Sequence, residues 1–229
     1  MSSAKELSAD DRALFAGSRF CWLGKLSFDA ALAANRAAVA AVASGKGAQL
    51  LAFEPIAAVY TLGLRAQTPQ GRLQLVSTIE LCRLRGIEVR NVERGGLGTL
   101  HLPGQLVIFL ALPCTRIQLR PLVCALLRAA SAAAAQWGVA TKIDSENAVG
   151  LWHASGKLAS LGLRERAGIV QHGLSFNAAI ESNTAASLDL CGTSSTRFAS
   201  LADLTLDPLC TPTAVARAFA QVLQPSVQI

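Results

Sequence analysis

The chain has 229 residues, 52% of them hydrophobic and 16% charged, which is enough for one sizeable core and too apolar for an intrinsically disordered protein. Its formal net charge of +6 arises from 21 lysines and arginines against 15 acidic residues. Two interpretations of this charge stay open: ordinary surface charge, or long-range attraction of an acidic partner.

Several classes of protein do not fit the sequence. The basic residues are dispersed, the tyrosine and the three tryptophans are far apart, and no nucleic-acid-binding motif is present, so nucleic acid is not the expected partner. The apolar runs 106–114 and 122–137 are too short or too interrupted to cross a bilayer, and the N-terminus lacks a secretory signal. Six cysteines without a C-x-x-C pair fit reduced thiols. We therefore expect a cytoplasmic protein that does not bind membranes.

The N-terminal half is predicted to hold one long helix followed by short strands. Residues 1–18 are polar, and we expect them to form a mobile lead-in to a single domain over residues 19–229. Ser27 fits the N-cap of the long helix and Gly45 fits its end. In chain order, the predicted elements are a helix at 27–45, strands at 49–54 and 57–63, a short helix that ends near Gly86, a strand at 87–92, and two strands within 98–112 around a Pro-Gly turn.

The C-terminal half is predicted to begin with the most distinct helix, at 120–138. This segment is rich in alanine, with Pro121 in its first turn and Gly138 at its end. The elements that follow are strands near 139–143, 148–153, 157–163 and 168–176, and a helix at 211–224 capped by Thr211. Short strands in two clusters, with helices between and beyond them, indicate a single α+β domain with mixed or largely antiparallel sheets.

The stretch RGGLGTLHLPGQL, residues 94–106, combines four glycines with one histidine and leads into an apolar run. It contains neither a Walker motif nor a G-x-G-x-x-G loop between a strand and a helix, so a phosphate cradle is not indicated. A tight turn that needs positive φ angles would account for Gly95, Gly96 and Gly104. It would not account for His101.

Metal and carboxylate chemistry is not indicated either. The histidines at 101, 153 and 172 form no i, i+4 pair and have no carboxylate cluster around them. We expect no metal and no cofactor, and we expect His153 to be a core histidine with satisfied hydrogen bonds.

One cysteine has surroundings that suit a nucleophile. Cys191 lies in LDLCGTSSTRF, where the backbone N–H groups of a turn could face both the sulfur and a developing oxyanion. A structural cysteine remains the simpler interpretation, because the chain has six. An ammonium from Lys157 about 4 Å away would change this balance, since at an effective dielectric constant of about 20 it contributes about 4 kcal/mol, or about three pKa units before desolvation. The spacing alone does not bring the two residues together.

Three ordered motifs resemble the lipoyl(octanoyl) transferase family, whose members are octanoyl-[acyl carrier protein]:protein N-octanoyltransferases. The family signature R-G-G-Q-x-T-Y-H-G-P-G-Q-L matches residues 94–106, and its G-K-I-A-A-[IL]-G segment matches GKLASLG at 156–162. A stretch of the form H-G-[LF]-[AS]-x-N matches HGLSFN at 172–177, and N-P-C-G matches in part as LCG at 190–192. Upstream, VYTLG at 59–63 also fits.

The resemblance implies a single α+β domain related to lipoate and biotin protein ligases, and a two-step acyl transfer. Cys191 would take an octanoyl group from the thioester of acyl carrier protein, an acidic donor that the positive net charge suits. Lys157 would lower the pKa of Cys191 and manage the protons. A lysine on a lipoyl domain of a 2-oxoacid dehydrogenase complex, or on the glycine cleavage H protein, would then attack the acyl-enzyme. The resemblance assigns the substrate site to Arg94, Gly95, Gly96, Leu97, Gly98, Thr99, Leu100, His101, Ser160, Leu161, Gly162, Gly173, Leu174 and Ser175.

Four leucines depart from the family pattern. Leu97, Leu100, Leu102 and Leu190 stand where the family has glutamine, tyrosine, glycine and proline. Two alternatives stay open beside the transferase. One is an ATP-dependent lipoate-protein ligase of the same superfamily, and the other, which the four leucines favour, is a non-catalytic relative that binds acyl groups or their carrier.

Overall fold

The structure, a computed structural model, describes residues 7–113, 119–146, 149–181 and 197–223, together with the backbone of 226–228. The strands are β1 (Arg19–Leu26), β2 (Gln49–Pro55), β3 (Val59–Leu62), β4 (Glu88–Asn91), β5 (Gly98–His101), β6 (Gln105–Pro113), β7 (Lys142–Asp144), β8 (Gly150–His153), β9 (Gly156–Arg166), β10 (Ile169–Asn177) and β11 (Ser226–Gln228). The helices are α1 (Ala9–Ala13), α2 (Phe28–Ala43), α3 (Pro69–Gln74), α4 (Val76–Leu84), α5 (Leu119–Ala135), α6 (Leu201–Thr205) and α7 (Pro212–Leu223). A 3₁₀ helix covers Leu64–Gln67.

The described strands form two sheets. The large sheet has the order β11-β1-β2-β6-β10-β9-β8-β7. Strand β1 pairs in parallel with β11 and with β2, and the other neighbouring pairs of this sheet are antiparallel. The small sheet has the order β4-β3-β5, with β3 parallel to β4 and antiparallel to β5. These sheets and their flanking helices confirm the predicted α+β fold.

Strand β6 lies at the centre of the fold because both of its faces are apolar. Successive side chains of a strand point to opposite faces of the sheet. Leu106, Ile108, Leu110 and Leu112 therefore pack in the core that contains α5 and α7. The alternate residues pack against α2 on the other face, where Phe109 meets Phe28 and Phe53. The three helices predicted at 27–45, 120–138 and 211–224 are thus the ones that cover the large sheet.

A three-residue turn, Leu102–Gly104, connects β5 of the small sheet to β6 of the large sheet. The predicted strand–turn–strand unit is confirmed, but its two strands belong to different sheets. Gly104 has φ +83° and donates its N–H to Glu54 Oε1 at 3.1 Å. A side chain here would overlap the backbone of Ala179, so both the φ angle and the close approach require glycine.

The N-terminal segment is folded from residue 7 onward, and over 7–18 it differs from the expected mobile lead-in. Ser8 caps α1 and forms a capping box with Asp11. Asp11 accepts hydrogen bonds from the guanidinium of Arg128 on α5, and Leu7 and Phe15 are buried in the main core. The hydrophobic positions 7 and 15 fasten this segment to the domain.

Candidate active site

The glycine loop, residues 94–98, follows β4 and leads into β5, and the side chain of its first residue, Arg94, holds it in place. The side chain of Arg94 is buried and donates to the carbonyl of Thr61 at 2.7 Å and to the hydroxyl of Thr61 at 3.0 and 3.2 Å. It also donates to the carbonyls of Gly95 at 2.9 Å and Leu97 at 3.2 Å. These bonds fix the loop onto β3. Arg94 therefore has a structural function that the sequence did not reveal.

Backbone hydrogen bonds connect the glycine loop to the 3₁₀ helix and to the large sheet. Leu64 N–H donates to the Arg94 carbonyl at 2.9 Å, and Gly95 N–H donates to the Leu163 carbonyl of β9 at 3.2 Å. A Cβ on Gly95 would lie 2.7 Å from the Leu163 oxygen, and a Cβ on Gly162 would lie 3.0 Å from the Gly95 oxygen. Gly96 and Gly104 have the expected positive φ angles, and Gly95 does not. Glycine is required at position 95 by the close approach of the Leu163 backbone.

The predicted substrate-site residues line two adjoining cavities. The outer cavity has a volume of about 530 Å³ and the inner one about 20 Å³, which is room for a single water molecule. The outer cavity is lined by Arg94–Leu100, Ser160–Gly162 and Lys157, together with Trp152 and Leu119. The inner cavity is lined by His101, Gly173–Ser175 and the apolar side chains Phe28, Val92, Val107 and Phe109. Arg94, Thr99, Ser160, Leu161 and Gly162 line both. Cys191 lies outside the described residues.

Two buried histidines border the inner cavity, and both are neutral at pH 7. Burial, followed by the positive charge of Arg94, lowers the pKa of His101 to about 3 and that of His172 to about 4. The ring of His101 lies 4.8 Å from that of Phe28, and its Nδ1 has no hydrogen-bond partner among the described residues. His172 has φ +60°, and its ring contacts Phe109 edge to face at 5.9 Å.

These two histidines are expected to make the protein less stable in mild acid. In the unfolded chain a histidine binds a proton below about pH 6.5, whereas the folded protein resists protonation until about pH 4 or below. The contribution of the two neutral histidines to the free energy of unfolding is therefore complete above pH 6.5 and is lost as the pH falls. We expect His101→Gln to reduce the slope of the unfolding free energy between pH 6.5 and 4 by up to about 1.4 kcal/mol per pH unit, measured by urea unfolding. An unchanged slope would contradict the buried, neutral imidazole.

Lys157 lies near the start of β9 with its backbone firmly held. Its N–H donates to the Arg197 carbonyl at 2.8 Å, and its carbonyl accepts from Ala199 N–H at 3.0 Å and from Asn177 Nδ2 at 3.1 Å. Its Nζ lies 5.0 Å from the centre of the Trp152 ring, within the range of a cation–π interaction. The ammonium of Lys157 thus has a fixed place in the wall of the outer cavity.

Strand β8 provides the flat surface on which the Lys157 side chain lies. Gly150 faces this side chain, and a Cβ at position 150 would overlap Lys157 Cε and lie 3.2 Å from Nζ. Pairing between β8 and β9 changes register between Leu151 and Trp152, which brings Trp152 opposite Lys157. A glycine and a tryptophan, two positions apart, therefore determine where the amine lies.

Other sequence-based expectations have different outcomes. His153 is not a core residue: it lies half-buried at the turn between β8 and β9, where its Nδ1 accepts from Ser155 N–H at 3.1 Å. In the part of the chain that the structure describes, no three His, Cys, Asp or Glu side chains are grouped as a metal site would need. The same residues include no helix with the length and hydrophobicity to cross a bilayer.

Comparison with solved structures identifies the fold. A putative lipoate protein ligase from T. acidophilum with bound lipoic acid superposes with a TM-score of 0.71. The superposition covers 92% of this chain and 88% of that one, at 14% sequence identity. At that identity the likeness establishes the fold alone, and the fold is that of the lipoate ligases.

Sequence comparison gives the family. Residues 27–224 match the model of the lipoyl protein ligase A/B catalytic domain. An octanoyltransferase of Desulfotalea psychrophila is 34% identical over 187 residues, which cover 79% of this chain and 81% of that protein. An octanoyltransferase of Dechloromonas aromatica is 36% identical over 136 residues, 58% of this chain and 61% of that protein. The chain spans 61–63% of the length of several such curated relatives. It belongs to the lipoyl protein ligase A/B catalytic domain family, and within it to the octanoyltransferases.

Proposed function

We propose that this protein transfers an octanoyl group from the thioester of acyl carrier protein to a lysine of a lipoyl domain. In the first step, the thiolate of Cys191 attacks the thioester carbonyl, and the carrier sulfur leaves and takes up the proton that the Cys191 thiol released on ionisation. In the second step, the acceptor amine attacks the acyl-enzyme, an amide forms, and the thiol of Cys191 is restored. The observation that carries this proposal is that Lys157 and the glycine loop line one cavity of about 530 Å³.

The outer cavity suits an acyl chain in both size and character. Its volume falls within the range of about 300–1,000 Å³ that is usual for small-molecule sites. Leu97, Leu100 and Leu161 contribute apolar walls, and about six buried methylenes would contribute about 5 kcal/mol of binding. The inner cavity is too small for the chain, so the chain lies in the outer cavity unless Phe28 or Phe109 moves.

Lys157 has the chemistry that the first step needs. A free thiol with a pKa near 8.5 is only a few per cent ionised at neutral pH, and an ammonium close by raises that fraction. Arg197, whose carbonyl accepts from Lys157 N–H, is six positions after Cys191. Six residues span at most about 20 Å, so the chain can bring Cys191 to the cavity that Lys157 lines.

The partners and location follow from this reaction. The donor is acyl carrier protein, and the acceptors are lipoyl domains of 2-oxoacid dehydrogenase complexes or the glycine cleavage H protein. The names of the relatives, which are octanoyltransferases, support the proposal that the transferred acyl group is octanoyl. The enzyme works in the cytoplasm and needs no cofactor, because neither step requires a redox change or a nucleotide.

Intact-mass measurement tests the proposal. After incubation with octanoyl-acyl carrier protein, the protein is expected to gain one octanoyl group, and Cys191→Ser is expected to gain none. Cys124→Ser, on helix α5, is the matched control and should acquire the adduct as the wild type does. A wild-type protein that never acquires the adduct contradicts the proposal. Lipoate-dependent release of pyrophosphate from ATP would indicate a ligase instead, and tight carrier binding without turnover would indicate a non-catalytic relative.

A further inference from the structure

The segment 64–85 combines positive charge with exposed apolar side chains. It carries four arginines against one glutamate, so +3 of the chain's net charge of +6 lies in 22 residues. Four large apolar side chains are also exposed in this segment: Leu64, Leu73, Val76 and Leu84. Leu73 and Leu84 are 76% and 86% exposed, so packing within this chain covers little of either side chain. Exposed apolar side chains that are grouped together are typical of a surface that binds a partner.

Of these side chains, Leu73 lies on α3, Val76 and Leu84 lie on α4, and Leu64 lies in the preceding 3₁₀ helix. Within α4, Val76, Glu80, Arg83 and Leu84 recur at helical spacing and are exposed. The opposite side of the helix packs Ile79 and its neighbours into the core of the small sheet. We call the exposed face of α4, with Arg72 and Leu73 from α3, the α3–α4 face.

The α3–α4 face lies beside the outer cavity. Arg65 lines that cavity together with Lys157. Gly71 of α3 packs directly on the backbone of Arg65, so closely that a side chain at position 71 would overlap the Arg65 carbonyl. Arg72 and Leu73 follow at once in the chain. A protein bound to this face would therefore stand next to the cavity.

We infer that the α3–α4 face is the docking surface for the acidic carrier protein that delivers the acyl thioester, an inference that rests on the proposed function. The arginines are complementary to an acidic partner and steer its approach, while the exposed leucines supply the apolar contact that charged interfaces need at their centre. Arg72 and Arg83 act on the encounter with the carrier and not on the acyl transfer.

Charge reversal separates docking from chemistry. We expect Arg72→Glu with Arg83→Glu to raise the KM for octanoyl-acyl carrier protein by about tenfold, with kcat unchanged and the salt dependence weakened. Transfer from octanoyl-N-acetylcysteamine, a small uncharged thioester, should proceed at the wild-type rate. The matched control is Lys46→Glu with Arg217→Glu, which makes the same change in net charge at two exposed positions, the first after α2 and the second on α7. This control should keep the KM for octanoyl-acyl carrier protein within about twofold of the wild-type value.

A second variant tests the apolar component. Leu73→Ser with Leu84→Ser removes exposed side chains, so the protein should fold normally, and the KM for the carrier should again rise by about tenfold. If both double variants leave the donor KM within about twofold, the inference is overturned. It is also overturned if they raise the KM for the lipoyl-domain acceptor instead of the donor.

Binding without turnover distinguishes failure of the docking surface from failure of the proposed function. Fluorescence anisotropy of labelled octanoyl-acyl carrier protein measures the complex directly. If the wild type binds the carrier, Arg72→Glu with Arg83→Glu does not, and neither forms an acyl adduct, the docking surface is supported and the proposed transferase activity is contradicted. An adduct that forms with equal carrier affinity in both proteins would support the transferase and overturn the surface.

Discussion

Replacing Lys157 with methionine is expected to slow formation of the acyl adduct by about 100- to 1,000-fold, while the thermal stability of the protein stays unchanged. Methionine keeps much of the length and apolar body of lysine but removes its charge. The side chain can still lie on Gly150 and Trp152, because those contacts need only a slender chain. The slower formation of the adduct therefore measures the contribution of the Lys157 ammonium, which favours the thiolate form of the thiol and transfers protons.

The pH dependence of thiol alkylation identifies the cause of that loss. We expect the reaction of Cys191 with iodoacetamide to follow a thiol pKa well below 8.5 in the wild type and to move up towards 8.5 in Lys157→Met. Lys142→Met, an exposed lysine on β7, is the control and should change neither rate nor profile. If Lys157→Met forms the adduct at the wild-type rate, the catalytic assignment of Lys157 fails.

Replacing Gly173 with alanine is expected to cause the largest loss of stability of any change discussed, at least about 3 kcal/mol. Gly173 lies in β10 between Phe109 of β6 and Gly162 of β9. Its added Cβ would overlap the backbone oxygen of Ile108 and approach Phe109 Cα to 3.4 Å. These are backbone atoms of the central strand, so relief requires a shift of the sheet and not of a flexible side chain.

Urea unfolding measures this loss, and the chain offers a matched glycine. Gly47 lies two residues before the start of β2, and the nearest atom to a Cβ at this position is the Gly17 oxygen at 3.7 Å. Gly47→Ala should therefore change the unfolding free energy by no more than about 0.5 kcal/mol. Equal stability of the two variants would mean that the strands β6 and β10 are less closely packed than described.

Local sequence patterns predicted the elements whose residues carry a clear period. The apolar run at 106–112 became β6, and the alanine-rich segment with Pro121 and Gly138 at its ends became α5. Strand β1, Arg19–Leu26, was missed because its pairing is parallel and non-local, and because Gly24, with φ +77°, accompanies a register shift that interrupts the period of two. Nothing in residues 19–26 alone indicates those partners.

The site was predicted from motifs, but the function of single side chains within it depends on tertiary contacts. Arg94 was expected to face substrate, and the structure shows its guanidinium engaged by Thr61 and by its own loop. The two histidines at 101 and 172 gave no sign in the sequence of sharing a cavity, because β5 and β10 belong to different sheets. The catalytic pairing of Lys157 with Cys191 stays a prediction.

The short turn at Leu102–Gly104 sets how far the two sheets are offset along the inner cavity. His101 ends the strand before the turn, and Val107 and Phe109 follow in the strand after it, so opposite walls of one cavity are joined by three residues. Inserting or deleting one residue there would displace His101 by about 3.3 Å relative to Phe109 and turn its ring to the other face. The length of this turn therefore fixes the position of His101 relative to Phe109 in the inner cavity without any change of a residue that lines it.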